Sequence, residues 1–200
     1  MDVVETIVEV GGVSLSIEHP PDPVELIDEE AFECEEFLPY WAELWPSAIA
    51  LARAVASLDL EGKRVLELGC GLALPSIVAA RGGARVLATD WSPDALAFAR
   101  RNGRRNGLEL ETRLFAWADS CGLEAEGPWS LVLCADVLYE RRNVEELLAL
   151  LPSLGPAVLL ADPGRPALPS FLRGAALAWS VEYCEAPELP RGGVHRLCAR

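Results

Sequence analysis

The chain has 200 residues and a formal net charge of −14, with 51% hydrophobic and 24% charged residues. This composition is typical of a folded domain and argues against a wholly disordered chain. No apolar run approaches the roughly 20 residues that a membrane-spanning helix needs. The first residues also lack the basic start and apolar stretch of a signal peptide. The sequence therefore predicts a soluble, cytoplasmic protein.

The acidity is concentrated in the N-terminal quarter. Residues 1–52 contain 13 Asp and Glu residues and no Lys or Arg, whereas residues 53–200 contain 18 acids and 17 bases. A negative field of this kind repels phosphate backbones and attracts cationic partners. We therefore expect no nucleic-acid partner. The acidic quarter is either a solvated surface or a docking surface for a substrate.

The cysteines and histidines do not have the spacing of metal ligands. None of the six cysteines forms a CxxC or CxxH pair, and the chain has only two histidines. We therefore expect no metal site, and no disulfide in a reducing compartment.

Strand-like and helix-like segments alternate from Lys63 onward. The predicted strands cover residues 64–68, 84–89, 108–115, 129–135, 157–161, 181–184 and 194–198, and the predicted helices cover 75–81, 93–106, 143–151 and 166–178. Continuous apolar strands separated by helices predict a parallel sheet covered on both faces. A short link joins the last two strands and predicts an antiparallel strand at the end of the sheet. The expected fold is α/β: a Rossmann-like, seven-stranded, mostly parallel sheet with an antiparallel terminal strand.

Residues 1–60 differ in kind from the rest. They predict a hairpin (6–10 and 13–18), an acidic stretch, an aromatic segment at 40–46 and an amphipathic helix at 47–58. We interpret them as an N-terminal extension, serving as a lid or a docking surface, on a domain that covers residues 61–200.

The predicted strand ends carry residues that suit a cofactor, because ligands of open α/β sheets bind at the carboxyl ends of strands. Gly69-Cys70-Gly71 follows the first strand of the domain and permits a tight turn before a helix. Asp90 ends the next strand and can accept both hydroxyls of a ribose. This order of elements indicates an adenosine-containing cofactor.

Two positions separate the candidate cofactors. A dinucleotide site carries Gly-x-Gly-x-x-Gly, but position 74 is Leu. Glu67 adds an acid that suits a cationic amino-acid tail better than a diphosphate. S-adenosylmethionine therefore fits this sequence better than NAD.

The motifs also resemble a known family. Val65-Leu-Glu-Leu-Gly-Cys-Gly-Leu72 with Ala88-Thr-Asp90 resembles the first two motifs of class I, seven-strand methyltransferases. Three further runs resemble the nicotinamide N-methyltransferase-like proteins and the lysine methyltransferase of electron-transfer flavoprotein β-subunit: Trp41-Ala-Glu-Leu-Trp-Pro46, Ala135-Asp-Val-Leu-Tyr-Glu140 and Ala161-Asp-Pro-Gly-Arg-Pro166. The resemblance covers roughly residues 35–170.

The resemblance implies a role for each matching residue. Asp136 and Tyr139 would face the target nitrogen, Asp90 would hold the ribose, and Trp45 would close over the cofactor. The full set of implied cofactor-binding residues is Trp45, Glu67, Gly69, Cys70, Gly71, Asp90, Trp91, Trp117 and Ala135.

Some residues depart from the family pattern or allow a plainer interpretation. Relatives usually carry Asp-Trp where this chain has Ala116-Trp117, and Asp119 is out of register, so adenine recognition is expected to rest on the Trp117 backbone. Asp136 can instead cap the following loop, and Tyr139 and Trp45 can pack as core. Arg165 is interpreted as a structural ion-pair former.

The predicted function is S-adenosylmethionine-dependent N-methylation of lysine side chains in a protein substrate. One alternative is a small-molecule N- or O-methyltransferase that uses the same cofactor site beneath a closed lid. A non-catalytic cofactor-binding domain is a further alternative. A base methylase is disfavoured, because its Asn/Asp-Pro-Pro-Tyr pattern is replaced here by Asp136-Val-Leu-Tyr139.

Overall fold

The structure is a computed structural model that describes residues 2–26, 39–117 and 122–200. A hairpin is formed by β1 (Val4–Val10) and β2 (Val13–His19). The strands of the main sheet are β3 (Arg64–Leu68), β4 (Arg85–Asp90), β5 (Glu111–Leu114), β6 (Leu131–Ala135), β7 (Ala157–Asp162), β8 (Trp179–Cys184) and β9 (Gly193–Ala199). The α-helices are α1 (Pro46–Ala56), α2 (Leu74–Arg81), α3 (Pro93–Arg105), α4 (Arg141–Leu154) and α5 (Leu168–Ala175).

The main sheet has seven strands in the order β5-β4-β3-β6-β7-β9-β8. β9 runs antiparallel to both of its neighbours, and the other strands run parallel to one another. This confirms the predicted α/β fold. The antiparallel strand, β9, is the second strand from the edge of the sheet and not the edge strand itself. The crossover through α5 leaves a space of one strand between β7 and β8, and β9 occupies this space.

Apolar side chains pack on both faces of the sheet. On one face, alternate residues of the strands, such as Val65 and Leu133, pack with α1, α2 and α3. On the other face, their neighbours Leu66 and Val132 pack with α4 and α5. All four of these side chains are fully buried. Burial on both faces explains why the central strands are continuously apolar in the sequence.

The third predicted strand is shorter than expected. The prediction covered residues 108–115, whereas β5 begins at Glu111. The backbone N–H of Leu108 instead donates to the carbonyl of Gly103 in α3 at 2.9 Å, and Leu110 packs against the same glycine. These leucines cover the end of α3 and are therefore not available to pair with β4.

The N-terminal hairpin is attached to the sheet domain through Asn102 of α3 and Asn106, the residue that caps the C-terminus of this helix. The Asn102 side chain accepts from the Glu18 N–H at 2.8 Å and donates to the Glu18 carbonyl at 3.1 Å. Asn106, one helical turn further on, makes the same pair of bonds with Ser16 at 3.1 and 2.8 Å. Asn102 also donates to the Leu72 carbonyl at 3.2 Å, beside the glycine-rich loop. The two amides thus satisfy alternate residues of β2 as a neighbouring strand would.

Replacing Asn102 by alanine is expected to lower the free energy of unfolding by about 2–3 kcal/mol, because the change leaves buried Glu18 and Leu72 backbone groups without partners. Urea denaturation followed by circular dichroism measures this difference. Arg104→Ala, an exposed position of the same helix, serves as the control. An Asn102→Ala protein within about 0.5 kcal/mol of the wild type would contradict the anchoring role.

Candidate active site

The carboxyl ends of β3, β4, β6 and β7 meet at one edge of the sheet, where a cavity of about 380 Å³ opens. The segment at residues 40–45, which begins with a short 3₁₀ turn (Tyr40–Ala42), forms the opposite wall. The cavity is lined by every predicted site residue: Trp45, Glu67, Gly69, Cys70, Gly71, Asp90, Trp91, Trp117, Ala135, Asp136 and Tyr139. The structure thus brings residues from across the sequence to one place, and their individual roles stay predictions.

The glycine-rich loop turns sharply between β3 and α2. Gly69 and Gly71 have φ angles of +66° and +48°, a left-handed conformation that favours glycine. A Cβ on Gly71 would lie 3.2 Å from the carbonyl oxygen of Trp41. The loop is therefore closely packed against the N-terminal segment, which holds that segment above the cavity.

Glu67 presents a buried carboxyl group to the cavity, with a residue exposure of 1%. The backbone N–H of Ser76 donates to its Oε2 at 3.0 Å, and the Ser76 hydroxyl donates to the same atom. Burial raises the pKa of Glu67 to about 8, although the bonds from Ser76 act against this. The group is thus largely protonated at neutral pH, and a cation placed beside it would favour its ionised form.

Asp90 lies at the end of β4 and is 5% exposed. Its Oδ2 accepts from the Gly71 N–H at 2.9 Å, and its Oδ1 accepts from the Ser92 N–H at 2.9 Å. Burial raises the pKa of Asp90, against these backbone bonds. Each oxygen has capacity for another donor, so the carboxylate can bind a pair of hydroxyls in the cavity.

Cys70 and Cys134 are buried, and burial raises the pKa of both thiols above the ordinary range for cysteine. Neither thiol is thus suited to act as a nucleophile. Cys70 contributes to the cavity through its place in the glycine-rich loop.

Aromatic residues form one side of the cavity. Trp91 is 40% exposed, and Trp117 lies with its Cζ2 3.4 Å from the Cβ position of Gly69. Phe115 and Ala116 line the same side. Asp119, expected to be out of register for adenine binding, lies outside the described residues. These flat side chains form a surface on which a planar ring can stack.

Asp136 follows β6 with a φ of +56°, a conformation that is rare for a residue with a side chain. Asp136 is 8% exposed, and its carboxylate forms a two-point ion pair with Arg165. Arg165 Nε donates to Oδ1 at 2.8 Å, and Nη2 donates to Oδ2 at 3.1 Å. Arg165 was predicted to form an ion pair but was not predicted to belong to the site. The Asp162-Pro-Gly-Arg165 run after a strand was the signal that could have placed it there.

Three aromatic rings line the same cavity as this ion pair. The ring centroids of Tyr40 and Tyr139 are 5.3 Å apart, and Tyr40 lies 6.5 Å from Trp45. The Arg165 guanidinium carbon lies 5.9 Å from the centre of the Trp45 ring. Burial raises the pKa of Tyr139 to about 12, so its hydroxyl remains protonated at neutral pH. Tyr40 was not among the predicted site residues, although it lies in the same aromatic segment as Trp45.

Solved structures share this fold. The magnesium protoporphyrin IX methyltransferase of Synechocystis, a structure with bound SAM, superposes with a TM-score of 0.63 over 90% of this chain and 99% of its own, at 17% identity. The Thermus thermophilus 16S rRNA methyltransferase RsmC gives a TM-score of 0.68 over 99% of this chain and 51% of its own, at 14% identity. At these identities the likeness concerns the fold.

Within the described ranges, no helix has the length and apolar character that a membrane span requires.

Curated relatives are similar over more than half of this chain. The electron transfer flavoprotein beta subunit lysine methyltransferase of Xenopus laevis is 38% identical over 64% of this chain and 53% of its own length. The protein N-lysine methyltransferase METTL21A of Danio rerio is 35% identical over 56% and 55%, and the human histone-arginine methyltransferase METTL23 is 36% identical over 53% and 59%. The chain thus spans little more than half the length of these relatives. A family model described as lysine methyltransferase matches residues 40–158, which include the aromatic segment, the glycine-rich loop and Asp136. The chain belongs to the lysine methyltransferase family.

Proposed function

We propose that this protein is an S-adenosylmethionine-dependent methyltransferase that methylates lysine side chains of a protein substrate. One observation carries the proposal: a single cavity joins Glu67 and Asp90, which suit the cofactor, to Asp136 and Tyr139, which suit a basic acceptor. Membership of the lysine methyltransferase family supports it.

The residues of the cavity fit this cofactor. Glu67 offers a buried carboxyl group whose ionised form a methionine ammonium would stabilise. Asp90 can receive the ribose hydroxyls, and Trp91 and Trp117 can stack on the adenine. The left-handed backbone of the glycine-rich loop lets the main chain approach a ligand closely. Glu67 would thus hold the methionine end, and Asp90, Trp91 and Trp117 would hold the adenosine.

When bound, S-adenosylmethionine would supply an electrophilic methyl group to the lone pair of the acceptor nitrogen, and the electron pair of the broken carbon–sulfur bond would stay on sulfur. The acceptor amine must arrive without its extra proton, which passes to solvent. Asp136 can accept a hydrogen bond from this amine and orient its lone pair. Tyr139 and Tyr40 offer aromatic faces to the cationic product. The remaining contribution of the chain is to position the amine and to exclude water.

Charge supports a basic protein as substrate. Residues 1–52 carry 13 acids and no Lys or Arg, and Glu43 of this segment lines the cavity. We propose that residues 1–60 form a substrate-facing extension of a catalytic domain at residues 61–200. Absence of nucleic-acid partners and a cytoplasmic location stay predictions.

A small-molecule acceptor is the second candidate. It is favoured by the wall that Tyr40, Trp41, Leu44 and Trp45 form over the cavity. Such a wall can enclose a small ligand, in the manner of a lid.

The experiment is transfer of a labelled methyl group from S-adenosylmethionine to a size-fractionated extract of the source organism, with Asp136→Ala protein as control. Label in discrete, protease-sensitive bands supports the proposal, provided that mass spectrometry places it on lysine. Label on arginine would show that the acceptor is arginine instead of lysine. Label only in the small-molecule fraction would show that the acceptor is a small molecule. If the protein binds S-adenosylmethionine but no label appears above the control, the non-catalytic interpretation is favoured.

A further inference from the structure

Both oxygens of the Asp136 carboxylate accept a hydrogen bond from Arg165. The guanidinium donates one hydrogen bond to each oxygen, at 2.8 and 3.1 Å, in the planar fork-to-fork arrangement that only arginine forms. Both side chains line the cavity. The acceptor amine would therefore meet a neutral ion pair instead of a lone anion.

The loop that carries Arg165 is itself held in place. Asp162 is fully buried, and its Oδ1 accepts from the N–H groups of Gly164 and Arg165, both at 2.7 Å. Gly164 has a φ of +93°, and a Cβ there would overlap the Arg191 carbonyl oxygen. On its other side the guanidinium lies near the Trp45 ring. Asp162 thus holds the backbone of Arg165, and Trp45 of the N-terminal segment lies near its guanidinium.

Other charged groups near the acceptor site are arranged differently. Arg142 lines the cavity but pairs with Glu140 at 2.7 Å. The remaining acidic side chains of the cavity are Glu43, Glu67, Asp90 and Glu146, and its other titratable groups are Tyr40, Cys70 and Tyr139. Within the described part of the chain, Arg165 is the cation that hydrogen-bonds Asp136.

We propose that Arg165 is a positioning residue that fixes both oxygens of Asp136 and makes the acceptor site bind a neutral amine in preference to an ammonium ion. This inference rests on the proposed function. A lone carboxylate would stabilise the ammonium form, which has no lone pair with which to attack a methyl group. The adjacent guanidinium charge opposes that stabilisation, so the proton leaves to solvent at lower pH.

Single-turnover rates measured against pH test the inference, with saturating cofactor and an acceptor identified by the transfer experiment. The variants are Arg165→Met, Arg165→Lys and, as a matched control, Arg173→Met at an exposed position of α5. In Arg165→Met the rising limb of the rate is expected to move up by about one pH unit or more, since the bound ammonium then meets an uncompensated carboxylate. Arg165→Lys is expected to keep the limb in place but to lower the rate, because a point charge lacks the fork geometry.

Acceptor binding to protein loaded with S-adenosylhomocysteine, which cannot transfer, gives a readout without turnover. At pH values below the ordinary lysine pKa of about 10.4, the affinity of the wild type for the acceptor is expected to rise with pH. The affinity of Arg165→Met for the acceptor is expected to be independent of pH in this range. The inference is overturned if Arg165→Met shows the same pH dependence as the wild type, both in the transfer rate and in acceptor binding. That result leaves the proposed function intact. Joint loss of folding and S-adenosylhomocysteine binding in both Arg165 variants also overturns it, because the pair is then structural. A wild type that binds cofactor but transfers nothing overturns the proposed function, and this inference with it.

Discussion

Replacing Asp136 by asparagine or alanine is expected to lower the methyl-transfer rate by about 100-fold or more, while the affinity for S-adenosylmethionine changes by less than about twofold. Asp136 lies at the acceptor side of the cavity, where its carboxylate is paired with Arg165, whereas Glu67, Asp90 and the glycine-rich loop form the cofactor side. Removing its carboxylate should therefore disturb the amine and spare the cofactor. Single-turnover kinetics and calorimetric titration with S-adenosylmethionine measure the two effects.

The matched control for Asp136 is Glu145→Gln, which removes a negative charge from an exposed position of α4 nearby in sequence. It is expected to transfer at the wild-type rate. Asparagine preserves the side-chain volume, so a loss in Asp136→Asn reports on charge and hydrogen bonding more than on packing. Wild-type turnover in Asp136→Asn would contradict the role of Asp136.

The affinity for S-adenosylmethionine is expected to depend on pH through Glu67. The free protein holds this carboxyl group protonated up to about pH 8, whereas a bound ammonium requires its ionised form. Binding therefore releases up to one proton, and affinity should increase by up to about tenfold for each pH unit below about 8 and then level off. Calorimetric titrations across this range measure the slope. Glu67→Gln should abolish it and bind more weakly above pH 8.

Glu67 also predicts a change in stability, with a defined sign. Its pKa is raised from an ordinary 4.5 to about 8 in the folded protein, so folding is progressively weakened as pH rises through this interval. Without ligand, the Glu67→Gln protein should not lose stability as the pH rises through this interval. It should therefore have a higher melting temperature than the wild type at pH 8. Exposed Glu61→Gln is the control for both measurements and should leave the slope and the melting curve unchanged. A pH-independent wild-type affinity would contradict the buried-carboxyl interpretation.

Much of the fold could be predicted because its signals are local. Continuous apolar strands separated by helical segments indicated the parallel sheet, and β3 was predicted with the bounds that the structure has. Ser92 precedes the predicted helix at 93–106 and is a residue type that favours the N-cap position, and in the structure its hydroxyl accepts from the Ala95 N–H at 3.3 Å. The site followed from topology, since parallel strands bring their carboxyl ends to one edge. Glu67, Asp90 and Asp136 could thus be placed together from the order of elements alone.

Other features depend on pairings between distant residues. Arg165 reaches Asp136 across 29 positions, and Asn102 binds Glu18 across 84. Neither partner is implied by periodicity, because an arginine after a strand and an asparagine within a helix can each face solvent or form other bonds. The position of β9 between β7 and β8 likewise follows from where the α5 crossover places β8. Residue types and spacing were therefore sufficient for the sheet and its functional edge. The partners of buried polar groups were settled by three-dimensional packing, because most buried polar groups must be hydrogen-bonded and only the folded chain brings distant partners together.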